Sequence, residues 1–352
     1  MQQGECRPHA FSHRLAFLFL FPFSLTLALR GRGKGEGEKA ALVTTVLIGL
    51  LLFAPAIGQG AESLQKIRVG FPSLAFSYMP YYVAQEKNFL KKYNLEAEYI
   101  QMRTTIQPSA VINGNINFFP SVSTGMSAAA SGMPLVVVLN FCDGAPWILV
   151  TGKEINKPQD LIGKTVAVSG LRTSPHLFLQ AALKKWEIPE KDVSIISTGG
   201  TSDSFLALVS KQVAGTVLTP PFDDKAVSLG FKKFMFLGDM ADIPYVGVTT
   251  SQNEIKNNRE TIRRTLAALM ESVAWIRANR EESAKMIASK FKVNQTEAEQ
   301  TYATLVKILN KDGRLNPKVA RGYIDLLRQD RPIPADFDPQ KIVDFSMLPG
   351  AR

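Results

Sequence analysis

The chain has 352 residues, of which 45% are hydrophobic, with 41 Lys and Arg against 31 Asp and Glu, two Cys and three His. This composition excludes a disordered chain and a disulfide-stabilised scaffold, and the length suffices for one or two domains with a substantial core. Only two long apolar runs occur, both before residue 62, which excludes a multi-span membrane protein.

The first 60 residues are typical of a targeting segment. They comprise an N-terminal extension and then a signal peptide, in which Lys39 is the positive flank, residues 40–55 are the apolar region and small residues at 56–60 suit cleavage. An uncleaved segment would instead anchor the protein, because about 20 charge-free residues can span a bilayer. We expect a periplasmic protein, membrane-anchored if the peptide is retained.

Few residues with catalytic or metal-binding chemistry remain after residue 60. Cys142 and His176 are the single Cys and the single His there, so Cys-His or Ser-His-Asp catalysis and a Cys/His metal site have little to build on. Residues 1–60 hold six basic and three acidic residues, so their removal lowers the net charge from +10 to +7. Because the remaining Lys and Arg are scattered among acids, we predict no catalytic residue, metal, cofactor or nucleic-acid partner.

Strands and helices alternate from residue 66, and Pro80 and Pro108 each suit a first helical turn. This alternation predicts an α/β fold. The first unit has predicted strands at 67–71, 95–102, 115–119 and 135–139 and helices at 80–93, 108–112 and 124–131.

A second α/β unit begins at Lys157, and only helices follow residue 251. Apolar residues of helical period, such as Ile262, Leu266 and Leu269, predict one long helix over 258–292. The second unit has predicted strands at 165–169, 193–197, 215–218, 234–237 and 246–249 and helices at 174–186 and 202–210, and the tail has helices at 295–309, 317–327 and 339–345.

The triplet Gly163-Lys164-Thr165 also ends nucleotide-binding P-loops. Position 158, where that motif needs its first glycine, is proline, and the segment runs from a turn into a strand rather than from a strand into a helix. A tight turn before a strand is therefore the better interpretation.

The pattern of residues 157–168, Lys-Pro-Gln-Asp-Leu-Ile-Gly-Lys-Thr-Val-Ala-Val, resembles the start of the second lobe in type II periplasmic substrate-binding proteins of ABC importers. The resemblance covers most of residues 66–350 and is closest to the branch for nitrate, sulfonates, taurine and thiamine-pyrimidine precursors. It also includes Ile67–Gly70, Pro80, Ala84, Phe89, Leu95 and Asn113–Asn115.

This resemblance implies two α/β lobes, the second inserted in the first, with a ligand cleft between them. We expect lobe 1 at 61–152 and 250–352, lobe 2 at 153–249, and hinge crossings near 150–157 and 246–251. It also implies a monomer that closes around its ligand and delivers it to the membrane subunits of an ABC permease.

Ligands of open α/β sheets bind beyond the carboxyl ends of strands, where helix N-termini present free N–H groups. Ser and Thr at these positions are also common helix N-caps, and the aromatic residues are also candidates for simple packing. The candidate ligand-binding residues at strand ends are Ser73, Phe76, Tyr78, Ser123, Thr124, Gly125, Trp147, Gly170, Thr173, Ser174, Thr219, Phe222 and Tyr245.

The main hypothesis is a binding protein for a small anionic or heteroaromatic organic molecule. One alternative is an enzyme of the thiamine-pyrimidine-synthase or a related lyase type on the same fold, although residues 140–144 depart from the cysteine-rich motif of those synthases. Another alternative is a membrane-anchored ligand sensor, which would retain residues 40–61 as a helix.

Overall fold

The computed structural model describes residues 63–329 and 331–350. The predicted N-terminal extension and signal peptide at 1–60 lie outside the described residues. Within the described ranges, no helix has the length and apolar character needed to cross a bilayer.

The first lobe is built on two small sheets that meet at one bridge. β1 (Gln65–Phe71) and β2 (Leu95–Gln101) run parallel, and a bridge from Val69 to Phe118 leads to a three-stranded sheet. In that sheet β10 (Val246–Ser251) lies antiparallel between β3 (Phe119–Ser121) and β4 (Leu135–Asn140). All six residues of β4 and of β10 are buried, as expected of central strands.

The second lobe contains a five-stranded sheet with the order β7-β6-β8-β5-β9. β6 runs parallel to β7 and β8, whereas β5 runs antiparallel to β8 and β9. The bounds are β5 Ile148–Thr151, β6 Thr165–Val168, β7 Ser194–Ser197, β8 Gly215–Leu218 and β9 Lys232–Phe236. Together the sheets confirm the predicted α/β fold with two lobes.

Helices cover the sheets of both lobes. In chain order they are α1 Met79–Glu86, α2 Phe89–Lys92, α3 Gln107–Ile112, α4 Val122–Ala130, α5 Ser174–Lys185, α6 Thr201–Val209, α7 Phe222–Ser228, α8 Gln252–Asn257, α9 Arg259–Ala278, α10 Arg280–Phe291, α11 Gln295–Ile308 and α12 Pro317–Leu327.

The observed strand pairing places the junctions between the lobes at other residues than predicted. Ile148–Thr151, which the predicted boundary at residue 152 assigns to lobe 1, pairs within the five-stranded sheet as β5. Val246–Ser251, predicted as a hinge crossing, is β10 of the three-stranded sheet. We therefore propose crossings at 141–147 and 237–245, where Leu237 N–H donates to Trp147 O (2.7 Å) and Tyr245 N–H to Cys142 O (3.0 Å).

Several predicted elements differ from the observed ones for local reasons. The helix predicted over 80–93 breaks because Asn88 adopts a left-handed φ of 59°, and the helix predicted over 258–292 breaks at Asn279. The strand predicted over 115–119 is observed at Phe119–Ser121, and α4 begins at Val122, two residues before the predicted start. Pro339–Ile342 forms a 3₁₀ turn rather than a helix, and the Gly163-Lys164-Thr165 triplet leads from a turn into β6, as predicted.

Candidate functional site

A cavity of about 40 Å³ lies between the lobes, and both crossings contribute to its wall. Two larger grooves, of about 600 and 880 Å³, are also lined by residues of both lobes, and neither is lined by three helix N-termini; we call them the outer grooves. We refer to the small cavity as the cleft. It is lined by Pro72, Tyr78, Thr104, Ser121, Trp147, Ser169, Thr173, Ser174, Pro175, Thr201, Tyr245 and Val246.

Three helices point their N-termini at the cleft. Ser121 is the N-cap of α4, Thr173 is the N-cap of α5, and Thr201 is the first residue of α6. An α-helix carries roughly half a positive charge at its N-terminus together with unsatisfied N–H donors. Three such ends around one cavity create a site for negatively charged atoms.

Ordinary N-capping by the hydroxyl side chain occurs at α4 but not at α5. Ser121 Oγ accepts from Thr124 N–H at 3.3 Å, which is an ordinary N-cap. Thr173 instead donates its hydroxyl to Gly170 O at 2.6 Å and makes no capping bond to α5. The Thr173 side chain therefore does not cap α5, and the backbone N–H donors of the first turn are not bonded to it.

Two aromatic residues, one on each crossing, form a wall of the cleft. The Trp147 and Tyr245 ring centroids lie 5.3 Å apart at an interplanar angle of 69°, an edge-to-face pair. Trp147 Nε1 donates to Ser174 Oγ in the second lobe (2.9 Å), and Ser77 Oγ in the first lobe donates to Tyr245 Oη (3.2 Å). The aromatic pair thus connects both crossings to both lobes.

Direct contact between the lobes occurs at Ser73. Its Oγ accepts from the backbone N–H of Thr201 at 3.0 Å, and a Cβ added at Gly200 would lie 2.5 Å from Ser73 Cβ. Only glycine at position 200 permits this approach, which brings the start of α6 against the loop after β1.

The cleft is polar without ionised side chains. None of its twelve lining residues is Asp, Glu, Lys, Arg or His. Burial raises the pKa of Tyr78 well above its usual value, with a further contribution from Tyr245, and burial likewise raises the pKa of Tyr245. Both phenols therefore stay neutral at physiological pH and provide hydroxyl hydrogen bonds rather than charge.

Five of the thirteen predicted site residues line the cleft: Tyr78, Trp147, Thr173, Ser174 and Tyr245. Ser73 and Gly170 do not line the cleft but are hydrogen-bonded to residues that do, Ser73 to Thr201 and Gly170 to Thr173. Thr219 is buried next to Tyr245, and Phe76 is fully buried in the first lobe. Ser123, Thr124 and Gly125 are inside α4 rather than at its start, and Gly125 packs against Thr249.

Phe222 does not line the cleft, contrary to expectation. Its ring packs between Phe205 and Phe291, with centroid distances of 5.5 and 6.2 Å. The neighbouring Asp223 is fully buried and pairs with Lys233 Nζ at 2.7 Å in the outer groove of about 880 Å³. The start of α7 therefore packs against α10 of the first lobe and lines an outer groove.

The cleft is also lined by Thr104, Ser121, Ser169 and Thr201, which are not among the thirteen predicted site residues, although Ser121 and Thr201 lie close to a predicted strand end and a predicted helix start. Ser169 directly follows β6, and Thr104 follows β2 by three residues. Because ligands of α/β sheets bind beyond the carboxyl ends of strands, this position predicts both as site residues. Arg172, four residues after β6, lines the outer groove of about 600 Å³ and not the cleft.

Cys142 lies in the first crossing and is fully buried. Burial raises its pKa far above that of a free thiol, with a smaller contribution from Asp143. Because thiolate is the reactive form, we expect Cys142 to resist alkylation by iodoacetamide at pH 8 and to react after denaturation. Peptide mapping by mass spectrometry checks this, and rapid labelling of Cys142 in the native protein would contradict it.

Comparison with known proteins agrees with this architecture. The periplasmic aliphatic sulphonate binding protein SsuA of Escherichia coli superposes with a TM-score of 0.61 at 19% identity, covering 80% of this chain and 98% of that one. The periplasmic nitrate-binding protein NrtA of Synechocystis PCC 6803 superposes with a TM-score of 0.66 at 14% identity, covering 81% and 87%. The chain thus has the two-lobe fold of periplasmic binding proteins.

Sequence comparison places the chain more closely. A family model described as "NMT1/THI5 like" matches residues 75–283, which is more than half of the chain. The binding protein YtlA of Bacillus subtilis (strain 168) is 24% identical over 242 residues, covering 64% of this chain and 70% of that protein. The chain belongs to the NMT1/THI5-like family.

Proposed function

We propose that this protein is a periplasmic solute-binding protein that captures a small anionic or heteroaromatic organic molecule between its lobes and delivers it to an ABC permease. The observation that carries the proposal is the convergence of three helix N-termini on an uncharged cleft with an aromatic wall. Helix N-termini favour anions, and an aromatic wall favours a ligand with an apolar or planar part. The names of YtlA, SsuA and NrtA support a binding role.

The size of the cleft supports a mechanism with hinge motion. A cavity of about 40 Å³ is far below the roughly 300–1,000 Å³ of typical small-molecule sites. An organic ligand therefore requires the lobes to separate about the two crossings for entry, and contacts from both lobes favour reclosure. The Ser73–Thr201 bond breaks during opening and forms again on closure.

The enzyme alternative has less support. The similar proteins described above are named as binding proteins. Residues 63–329 and 331–350 contain a single His, His176, and it lines an outer groove rather than the cleft. We accordingly propose a protein without catalytic activity, exported by the segment before residue 61 and acting as a monomer.

Calorimetric titration with ethanesulfonate, taurine, nitrate and an aminopyrimidine tests the ligand class, together with small-angle scattering. We expect at least one of these probes to bind and to hold the protein in its compact form. Ser174→Ala should weaken that binding by roughly 10–100-fold, because hydrogen bonds to charged groups contribute about 1.5–3 kcal/mol. Ser228→Ala, on the exposed surface of α7, is the matched control and should bind normally.

Absence of binding by all four probes, with no change in the radius of gyration, would contradict the proposed ligand class. Normal binding by Ser174→Ala would show that the ligand does not use the start of α5.

A further inference from the structure

His176 lies in the first turn of α5 and does not line the cleft. The residue is buried, with 5% of its surface exposed, and it lines the outer groove of about 600 Å³. Its Nδ1 accepts from the backbone N–H of Arg172 at 3.1 Å, and its Nε2 lies 3.2 Å from Glu190 Oε1. The Glu190 carboxylate is also held by Gln180 Nε2 at 2.6 Å.

These two contacts specify one form of the imidazole. A nitrogen that accepts from a backbone N–H carries no proton, so the proton of the neutral ring is on Nε2, from which it is donated to Glu190. Protonation of Nδ1 would place two donors against each other and break the bond to Arg172. Only the neutral ring is therefore compatible with this turn.

The turn that His176 holds is conformationally unusual. Arg172 has a φ of 60°, in the left-handed region that residues with a side chain rarely adopt. Such a conformation persists only where surrounding contacts enforce it. Here these are the Arg172–His176 bond and the hydroxyl bond from Thr173 to Gly170 O, both within one turn.

The same turn leads directly into part of the second lobe's lining of the cleft. Thr173 and Ser174 follow Arg172 directly and line the cleft, and Ser174 Oγ accepts from Trp147 of the crossing. A change at Arg172 is thus transmitted over one or two residues to the start of α5.

We propose that His176 is a positioning residue of the cleft: its neutral imidazole holds residues 170–173 in the turn that presents Thr173 and Ser174, and its protonation releases that turn and weakens ligand retention. The effect on ligand rests on the proposed function, whereas the effect on the turn does not. Imidazole ordinarily changes charge between about pH 5 and 8, so the release occurs on acidification.

The charged groups around the ring set the pH of this change. Glu190, in contact with Nε2, favours the imidazolium. Arg172, Lys191 and Arg331 line the same groove and oppose it. Replacing Glu190 by Gln should therefore move the midpoint to lower pH while leaving the Arg172–His176 bond intact above it.

Amide hydrogen exchange at Arg172, measured by NMR on the full chain between pH 5 and 8, tests the proposal without a ligand. Expressed as a protection factor, which removes the intrinsic pH dependence of exchange, it should fall at least about 10-fold as the imidazole becomes charged. The ring nitrogen shifts of His176, recorded in parallel, report the protonation.

Two variants separate positioning from a merely structural role. His176→Asn keeps an acceptor oxygen near the position of Nδ1 but does not titrate, so protection of Arg172 should be retained and lose its pH step. His176→Leu removes the acceptor, and protection should be low at every pH. If His176→Leu does not fold, the comparison of Arg172 protection between wild type and His176→Asn is sufficient to test the proposal.

A constant Arg172 protection factor through the imidazole titration would overturn the proposal, as would an unchanged pH step in His176→Asn. Ethanesulfonate affinity should fall on acidification in the wild type and not in His176→Asn. If ethanesulfonate binds at no pH, the same comparison is made with whichever of the other three probes binds. If none of the four binds, the proposed ligand class is contradicted while the exchange data still decide the role of His176.

Discussion

Replacing Trp147 by alanine should lower the free energy of unfolding by about 3–5 kcal/mol, the range for a large buried aromatic residue, and abolish ligand binding. Trp147 is 3% exposed and packs edge-to-face on Tyr245, and its indole N–H reaches Ser174 across the hinge. Its loss leaves a cavity at the junction of both crossings and removes one wall of the cleft. Chemical denaturation and calorimetric titration measure the two effects.

Two further variants locate the cause of this effect. Trp147→Phe keeps most of the apolar contact but removes the donor to Ser174, so it should weaken binding more than it weakens the fold. Trp186→Ala is the matched control, because Trp186 is only half-buried and packs against Phe234 away from the cleft. Normal ligand affinity in Trp147→Ala would contradict the assignment of this side chain to the binding site.

Replacing Gly247 by alanine should destabilise the protein by about 3 kcal/mol or more, at the upper end of overpacking effects. A Cβ at this position would lie 1.9 Å from Leu139 O, 2.7 Å from Val122 Cγ2 and 2.8 Å from Asn140 Cα. Backbone atoms of β4 cannot move aside as a flexible side chain can, so the pairing of β10 with β4 must shift.

Equilibrium denaturation of Gly247→Ala checks this expectation. Gly144→Ala is the matched control: a Cβ there meets nothing within 4 Å, so its effect should stay within about 0.5 kcal/mol. Wild-type stability in Gly247→Ala would mean that β10 does not lie as close to β4 as the structure places it. The Tyr81 hydroxyl, which donates to Gly247 O at 2.6 Å, is a second contact that the shift would break.

Hydrophobic periodicity predicted most helices and strands, whereas the backbone conformation of single residues determined where helices end. The apolar spacing of residues 259–291 continues through Asn279, so the pattern indicates one helix where two occur. Asn88 and Asn279 interrupt helices through backbone conformations that periodicity does not register. β5 was missed because four residues between two loops carry too little periodic signal.

The strand-end rule predicts residues around the candidate cleft but does not decide which of them line it. Phe222 and Tyr245 are both aromatic residues near strand ends, yet Tyr245 lines the cleft and Phe222 packs against Phe291. Ser73 and Ser174 are both hydroxyl residues in loops, yet Ser73 is engaged by Thr201 of the other lobe. These outcomes depend on contacts between segments more than 65 residues apart.

The sequence by itself determined the α/β class and the scarcity of residues with catalytic chemistry after residue 60, because local patterns and composition carry that information. The family resemblance implied the insertion of one lobe in the other. Only the tertiary structure decided that three helix N-termini meet at one uncharged cleft, that Trp147 and Tyr245 join the crossings to both lobes, and that the Arg172 N–H donates to His176 next to the start of α5. The reason is physical: strand pairing and lobe packing bring distant segments together, and no local periodicity records which of them meet.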